Sequence, residues 1–276
     1  MTHVYCNGDL LAPEDARIST FDHGLVVGDG AFETVLLHEG SAFALERHLT
    51  RLTRSLAGLG IGPVDLDVLR EGVARVLASL DYREGRIRIT VTAGRGPLGS
   101  GRYGDAPSIV IATSAAVDHD PLAKVRTVPW PRNERGALVG LKTISYAENA
   151  VALAYAGERD ADEAIFGNLA GNLCEGSGSN VFFVLEGKLY TPPLSAGCLA
   201  GITRGLVLER LGGTERDLPF NRFRAELIDE AFLTSAIRGV QPIEWIDGDE
   251  TKQSPGPITR AIMAGFAELR EHGVRN

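Results

Sequence analysis

Leu45, Leu49, Leu52, Leu56 and Leu59 recur at helical spacing. This stretch therefore folds as an amphipathic helix whose apolar stripe must find a partner surface. Leu66, Leu69, Val73, Val76 and Leu80 repeat the pattern in a second helix over 65–80, with Asp65 placed to cap its start. The period then changes. Arg86-Ile87-Arg88-Ile89-Thr90-Val91-Thr92 alternates strictly, which is the mark of a strand. Two periods side by side define a mixed chain, and the rest of the sequence continues the mixture. Strands are expected at Phe32–Leu37, Ser108–Thr113, Lys124–Trp130, Glu163–Phe166 and Glu230–Thr234. Helices are expected over Tyr146–Gly157, from Leu199, and over Ile258–Leu269. Asn7-Gly8 after Val4-Tyr5-Cys6 is a hairpin turn signal. The fold class is α/β, of the α+β type. A length of 276 residues suits one large domain or two smaller ones. Asp118-His119-Asp120-Pro121 reads as a linker. It divides the chain into 1–118 and 119–276.

The acid excess gives a net charge of −8, spread along the chain, which argues against nucleic acid as a partner. No apolar run approaches a membrane span, and no basic-then-apolar leader opens the sequence, so a cytoplasmic location is expected. Cys6, Cys174 and Cys198 are too few and too far apart for a disulfide framework or a close-spaced metal site.

Several stretches carry residues that a core would not choose. In Gly140-Leu141-Lys142-Thr143 a lysine sits between an apolar run and an alanine-rich helix. Taken alone, it reads first as a helix-start lysine whose stem packs while its ammonium reaches water. A desolvated lysine would instead have a lowered pKa and could attack a carbonyl to form a Schiff base. Glu175 stands in Cys174-Glu175-Gly176-Ser177-Gly178-Ser179-Asn180, directly before an apolar strand. It is either an exposed loop acid or an acceptor pointing into a cleft. Gly201-Ile202-Thr203-Arg204 opens a helix whose first amides and Thr203 hydroxyl could hold a phosphate. Ser235-Ala236-Ile237-Arg238 is a second small-residue turn. His48 and Arg51 lie one helical turn apart and could face a common site. The loop Gly94–Gly104 holds Arg95 and Arg102, suited to a carboxylate. Gly24, Gly28 and Gly30 match neither a dinucleotide fingerprint nor a P-loop and are expected in tight turns.

Gly-Leu-Lys142-Thr, Glu175-Gly-Ser-Gly-Ser-Asn180, Gly201-Ile-Thr203-Arg204 and His48-Leu-Thr-Arg51-Leu together resemble the class IV aminotransferases. These are the fold-type-IV pyridoxal phosphate enzymes. They include branched-chain aminotransferase, D-amino-acid aminotransferase and aminodeoxychorismate lyase. The resemblance runs from Asp22 to Arg238. It implies two α/β domains with pyridoxal phosphate in the cleft between them, usually in a homodimer. It makes Lys142 the lysine that bonds the cofactor and Glu175 the partner of the pyridine nitrogen. It makes Arg51 a phosphate ligand, joined by the backbone of Ile202 and Thr203 and the Thr203 hydroxyl. Ser235 or Ala236 aligns with the last phosphate contact. Branched-chain enzymes carry a tyrosine five residues after the lysine. Here that position is Ala147 and Tyr146 precedes it, so the resemblance assigns Tyr146 no role.

The resemblance favours a lyase that converts 4-amino-4-deoxychorismate to 4-aminobenzoate and pyruvate. Phe32-Glu33-Thr34 places a threonine where similar lyases carry a catalytic hydroxyl, and branched-chain enzymes tend to have glycine there. Neither Arg95 nor Arg102 is followed by histidine two residues on, unlike the carboxylate trap of D-amino-acid aminotransferase. Arg102 and Arg238 are then the candidates for the two substrate carboxylates. The alternative is a transaminase acting on D- or branched-chain amino acids with a 2-oxo acid acceptor. Either way the expected partners are a small amine or amino acid substrate and a second copy of the chain, with no metal.

Overall fold

A computed structural model describes residues 3–102, 106–118 and 120–273. Tyr103 and Gly104 of the glycine-rich loop, and His119 of the linker, lie outside the described residues. The chain packs as two compact units. The first is Met1–Asp118 with Leu141–Tyr146, and the second is His119–Gly140 with Ala147–Asn276. The Lys142 segment, which the sequence reading placed in the C-terminal half, thus packs with the first unit.

Among the described residues, the first unit is a six-stranded antiparallel sheet with two long helices and one short one. Its elements are β1 (Val4–Cys6), β2 (Asp9–Leu11), a short α1 (His23–Val27), β3 (Gly30–His38), β4 (Ser41–Ala42), α2 (Leu45–Gly58), α3 (Leu66–Ala78), β5 (Gly85–Thr92) and β6 (Ser108–Ala115). The strand order is β2-β1-β6-β5-β3-β4. Asn7 and Gly8 both take positive φ, as the β1–β2 hairpin requires. Asp65 caps α3 by accepting from the Asp67 N–H at 2.9 Å. The leucine stripe of α2 and the apolar face of α3 close over Val35, Leu37, Ile87, Ile89 and Ile111 of the sheet, forming one core. Helix α1 was not anticipated, because its five residues are too few to show a period. It is defined by Asp22, whose carboxylate accepts from the Gly24 N–H, and by Gly28, which ends it at φ 70.

The second unit holds a nine-stranded mixed sheet. Its elements are β7 (Ala123–Thr127), α4 (Ala147–Gly157), β8 (Glu163–Gly167), β9 (Leu173–Gly176), β10 (Asn180–Leu185), β11 (Lys188–Thr191), α5 (Ile202–Leu206), β12 (Thr214–Glu215), β13 (Glu230–Ser235), β14 (Gly239–Ile246), β15 (Asp249–Glu250) and α6 (Pro257–His272). The order is β12-β11-β10-β13-β14-β7-β8-β9, with β15 on β14. Near-continuous apolar runs such as Val181-Phe182-Phe183-Val184 are buried throughout, as expected for strands covered on both faces. Phe182 and Phe232 stack across β10 and β13 at 4.9 Å. Among the described residues no helix is long and apolar enough to cross a membrane, and no cluster of metal-ligating side chains occurs.

Candidate active site

Strand β3 sorts its side chains by parity. Ala31, Glu33, Val35 and Leu37 face α2 and are fully buried. Phe32, Thr34 and Leu36 face the other way. A carboxylate on the inward face must be paired, and α2 supplies the partners. Arg51 donates to Glu33 through Nε at 2.8 Å and Nη2 at 2.7 Å. His48 Nδ1 lies 2.7 Å from Glu33 Oε2. Burial alone would push the Glu33 carboxyl up. The hydrogen bonds from Arg51 and His48, with their charges, outweigh it and hold Glu33 at about 2. Burial pushes His48 below its ordinary value, with Glu33 opposing and the Arg51 and Lys142 charges adding. The sequence placed His48 and Arg51 together. It missed Glu33, although an acid in phase with Ala31, Val35 and Leu37 was a readable signal.

Lys142 lies along the start of β3. Its carbonyl accepts from the Phe32 N–H at 3.0 Å, and Ile144 N–H donates to Gly30 O at 2.9 Å. The Lys142 N–H donates to the Ser55 hydroxyl at 3.0 Å. The ammonium is thereby carried to the outer face of β3, with Nζ 4.4 Å from the centre of the Phe32 ring and 3.3 Å from the Tyr146 hydroxyl. Tyr146 meets the same ring edge-on at 5.0 Å. Thr34, on this face, pairs across the sheet with Arg88. The Arg88 guanidinium lies 3.8 Å over Phe32 and donates to Thr90 Oγ1 at 3.2 Å. Burial lowers its pKa, and no acid pairs with it among the described residues. The structure thus gathers Lys142, Tyr146 and Arg88 around one phenyl ring, with Thr34 on the same face of the strand. The sequence reading took Arg88 only as part of an alternating strand, because alternation does not tell what its polar face meets.

Arg102 does not join this group. Its guanidinium is paired with Asp29 at 2.6 and 2.5 Å and donates to Gly60 O. Asp29 raises the Arg102 pKa by accepting those hydrogen bonds.

In the second unit, Glu175 on β9 accepts the Leu199 N–H at 2.9 Å. Asn180 donates to Leu199 O at 2.9 Å, and a Cβ at Gly201 would collide with Asn180 Oδ1. The chain is therefore pinned at Leu199–Gly201 just before α5, which starts at Ile202 and Thr203. Asn180 in turn pairs with Thr234 on β13, next to Ser235. Glu175, Ile202, Thr203 and Ser235 consequently share one end of the sheet. Asn180 organises them, and a side chain bonded to a distant carbonyl leaves no pattern in sequence. The turn after Glu175 is held by buried Glu163, which accepts from Ser177 N at 3.0 Å, from the Ser177 hydroxyl, and from Ser179 Oγ at 3.0 Å. Arg238 belongs to that cluster. It lies 3.8 Å from Glu163 and donates to Gln241 at 2.6 Å and Asp162 O at 3.1 Å. Its N–H donates to Ser235 Oγ at 3.1 Å.

Residues 30–246 match amino-transferase class IV. The putative branched-chain-amino-acid aminotransferase of Methanocaldococcus jannaschii is 31% identical over 97% of this chain and 96% of its own. The aminodeoxychorismate lyase of Bacillus subtilis is 31% identical over 94% of this chain and 92% of its own. Among solved structures, the branched-chain aminotransferase of Thermoproteus uzoniensis is 28% identical, covers 97% of this chain and 94% of its own, and has a TM-score of 0.87. Each unit has the mixed α/β build of the fold-type-IV enzymes. The chain belongs to the class IV aminotransferases. The enzymes of that family work with pyridoxal phosphate.

The residues present fit that cofactor. A half-buried amine on an aromatic platform suits its carbonyl, and a carboxylate suits its ring nitrogen. Thr234 Oγ1, beside Ser235, is buried without a hydrogen-bond partner among the described residues, a state that is costly unless a ligand completes it.

Proposed function

We propose that the chain is an aminodeoxychorismate lyase, forming 4-aminobenzoate and pyruvate from 4-amino-4-deoxychorismate. One observation carries the reading: Thr34 shares the Phe32 face with the Lys142 ammonium and with the Arg88 guanidinium, with which no acid pairs among the described residues. Lys142, Glu175, Ile202, Thr203 and Ser235 would hold the cofactor, and Arg51 would join them while its Nε and Nη2 stay on Glu33. When bound, pyridoxal phosphate supplies an electron sink for the carbanion left by a departing proton. The chain's own groups do the rest. Arg88 anchors a substrate carboxylate, since a half-buried guanidinium binds one strongly and in a fixed orientation. Lys142 Nζ in its neutral form takes the ring proton and returns it to the departing group. The Phe32 ring keeps water from Lys142, and the Tyr146 hydroxyl orients the amine. Thr34 supplies a hydroxyl to the same proton transfer. Arg102 and Arg238 are secondary carboxylate candidates, each of which must first release an internal acceptor.

A transaminase acting on D- or branched-chain amino acids is the second reading. Arg88 favours it as well, because a single carboxylate anchor beside Lys142 suffices for an amino acid.

The protein loaded with pyridoxal phosphate is incubated with 4-amino-4-deoxychorismate and no 2-oxo acid. Equal catalytic yields of 4-aminobenzoate and pyruvate are expected. No product, together with amino-group transfer from D- or branched-chain amino acids, would establish the transaminase instead.

Self-association into a homodimer fits the surface of the first unit. Phe21, Leu25 and Leu98 are 47, 63 and 73% exposed. The loop that carries Leu98 is tied to Phe21, whose carbonyl accepts from the Gly96 N–H. Sedimentation of Leu25→Asp beside the parent tests this, with a monomeric variant expected. The acidic balance favours a small-molecule partner over nucleic acid and accords with a cytoplasmic enzyme.

A further inference from the structure

Phe166 and Glu175 are cross-strand partners on β8 and β9, so their side chains stand on one face. The Arg132 guanidinium lies over the Phe166 ring, with Cζ 4.0 Å from its centre. That stacking brings Arg132 Nε within 3.6 Å of Glu175 Oε1. The other carboxylate oxygen is the one that accepts from Leu199. Arg132 is held on every side. Its N–H donates to Gly167 O at 2.8 Å, and its carbonyl accepts from Leu169 at 3.1 Å. Its Nη1 donates to Asn149 Oδ1 at 3.2 Å and to Glu148 Oε2 at 2.5 Å. Nε itself is buried and has no hydrogen-bond partner among the described residues.

The energetics favour a lasting effect on Glu175. Both side chains are 14% exposed, so their attraction is screened far less than on the surface. A guanidinium stacked on an aromatic face and bonded through Nη1 to two acceptors loses little further freedom in holding this position, and a lysine lacks the planar group that stacks. The neighbouring thiols offer no compensating charge. Burial, and after it the Glu175 charge, pushes Cys198 up to about 12 and Cys174 higher still.

We propose that Arg132 is a positioning residue that keeps Glu175 ionised and singly oriented, so that the cofactor's ring nitrogen faces a carboxylate and not a neutral acid. The proposal rests on the reading of Glu175 as the partner of that nitrogen. Without the Arg132 charge, a proton on Glu175 competes with the proton on the ring.

The test uses cofactor labelled at the ring nitrogen. Nitrogen NMR follows ring protonation against pH in the parent, Arg132→Gln, Arg132→Lys and Glu175→Gln. In the parent the ring stays protonated through the neutral range. In Arg132→Gln the ratio of protonated to unprotonated ring in the neutral range falls by about tenfold or more, because the lost charge favours the proton on Glu175 over the proton on the ring. Arg132→Lys retains most of the parent value. An unchanged protonated fraction in Arg132→Gln, with a lowered midpoint in Glu175→Gln, overturns the proposal and leaves the Glu175 assignment standing. A protonated ring in Glu175→Gln overturns that assignment and the proposal with it. Equal falls in the Gln and Lys variants, in step with thermal stability, show a merely structural role and also overturn it. If Arg132→Gln folds but loses the cofactor, retention in Arg132→Lys supports the proposal and loss in both overturns it.

Discussion

Glu33 and Arg51 form a two-point ion pair inside the first unit, with Nε and Nη2 of the arginine at 2.8 and 2.7 Å from the two carboxylate oxygens. Glu33→Gln leaves a buried guanidinium without its acid. A loss of about 3–5 kcal/mol in unfolding free energy is expected, the scale for breaking one side of a buried pair. Urea denaturation at neutral pH checks it. A loss within the range of surface substitutions would show that the pair is not held as the structure has it.

The same cluster sets an acid limit. Glu33 and His48 are both held below their ordinary values of 4.5 and 6.5. The unfolded chain therefore binds more protons as pH falls, and stability drops. The His48 share is lost first, below 6.5, and the Glu33 share follows between 4.5 and about 2. The Glu33 share at neutral pH is about 3 kcal/mol. Thermal melts across this range should show decline starting near the upper value in the parent and nearer the lower one in His48→Gln. Identical profiles would contradict the sign worked out here.

Lys142→Ala removes the proton-transferring amine. Turnover should fall by at least the 10²–10⁴-fold typical of a lost acid–base group. After borohydride reduction and denaturation, the variant should retain no cofactor mass. Full activity on every amine tested would refute the assignment of Lys142.

Thr34→Ala should lose lyase turnover while keeping the cofactor and the fold, because Thr34 lies on the outer face of β3 and contributes nothing to the core beneath α2. The readouts are 4-aminobenzoate formation and the cofactor's visible absorbance. Unchanged turnover would remove Thr34 from the mechanism and favour the transaminase.

Arg88→Met keeps the apolar bulk over Phe32 and removes the charge. A charged hydrogen-bonding group of this kind is worth about 1.5–3 kcal/mol, so kcat/KM should fall by about 10- to 100-fold. The fall should appear mainly in KM if the carboxylate is held equally throughout the reaction. No change for any carboxylate-bearing substrate would exclude Arg88 as the anchor.

Periodicity in the sequence was enough to determine the mixed class, because the leucine stripe of α2 and the alternation of β5 are local consequences of side-chain spacing. The turn at Asn7-Gly8 and the Asp65 cap were legible for the same reason. The motifs around Lys142, Glu175 and Thr203 identified the family, since residue order survives in the chain itself. Tertiary packing alone decided which groups share a face. Strand parity sends Glu33 inward to Arg51 and Phe32 outward to Lys142, though the two are neighbours in sequence. Sheet register sets Arg88 opposite Thr34, and stacking on Phe166 brings Arg132 to Glu175. Pairing of Arg102 with Asp29, and of Arg238 with the Glu163 cluster, likewise depends on segments distant in sequence. Hydrogen bonds and stacking act through space over a few ångströms, so partners separated by tens of residues leave no local pattern from which to read them.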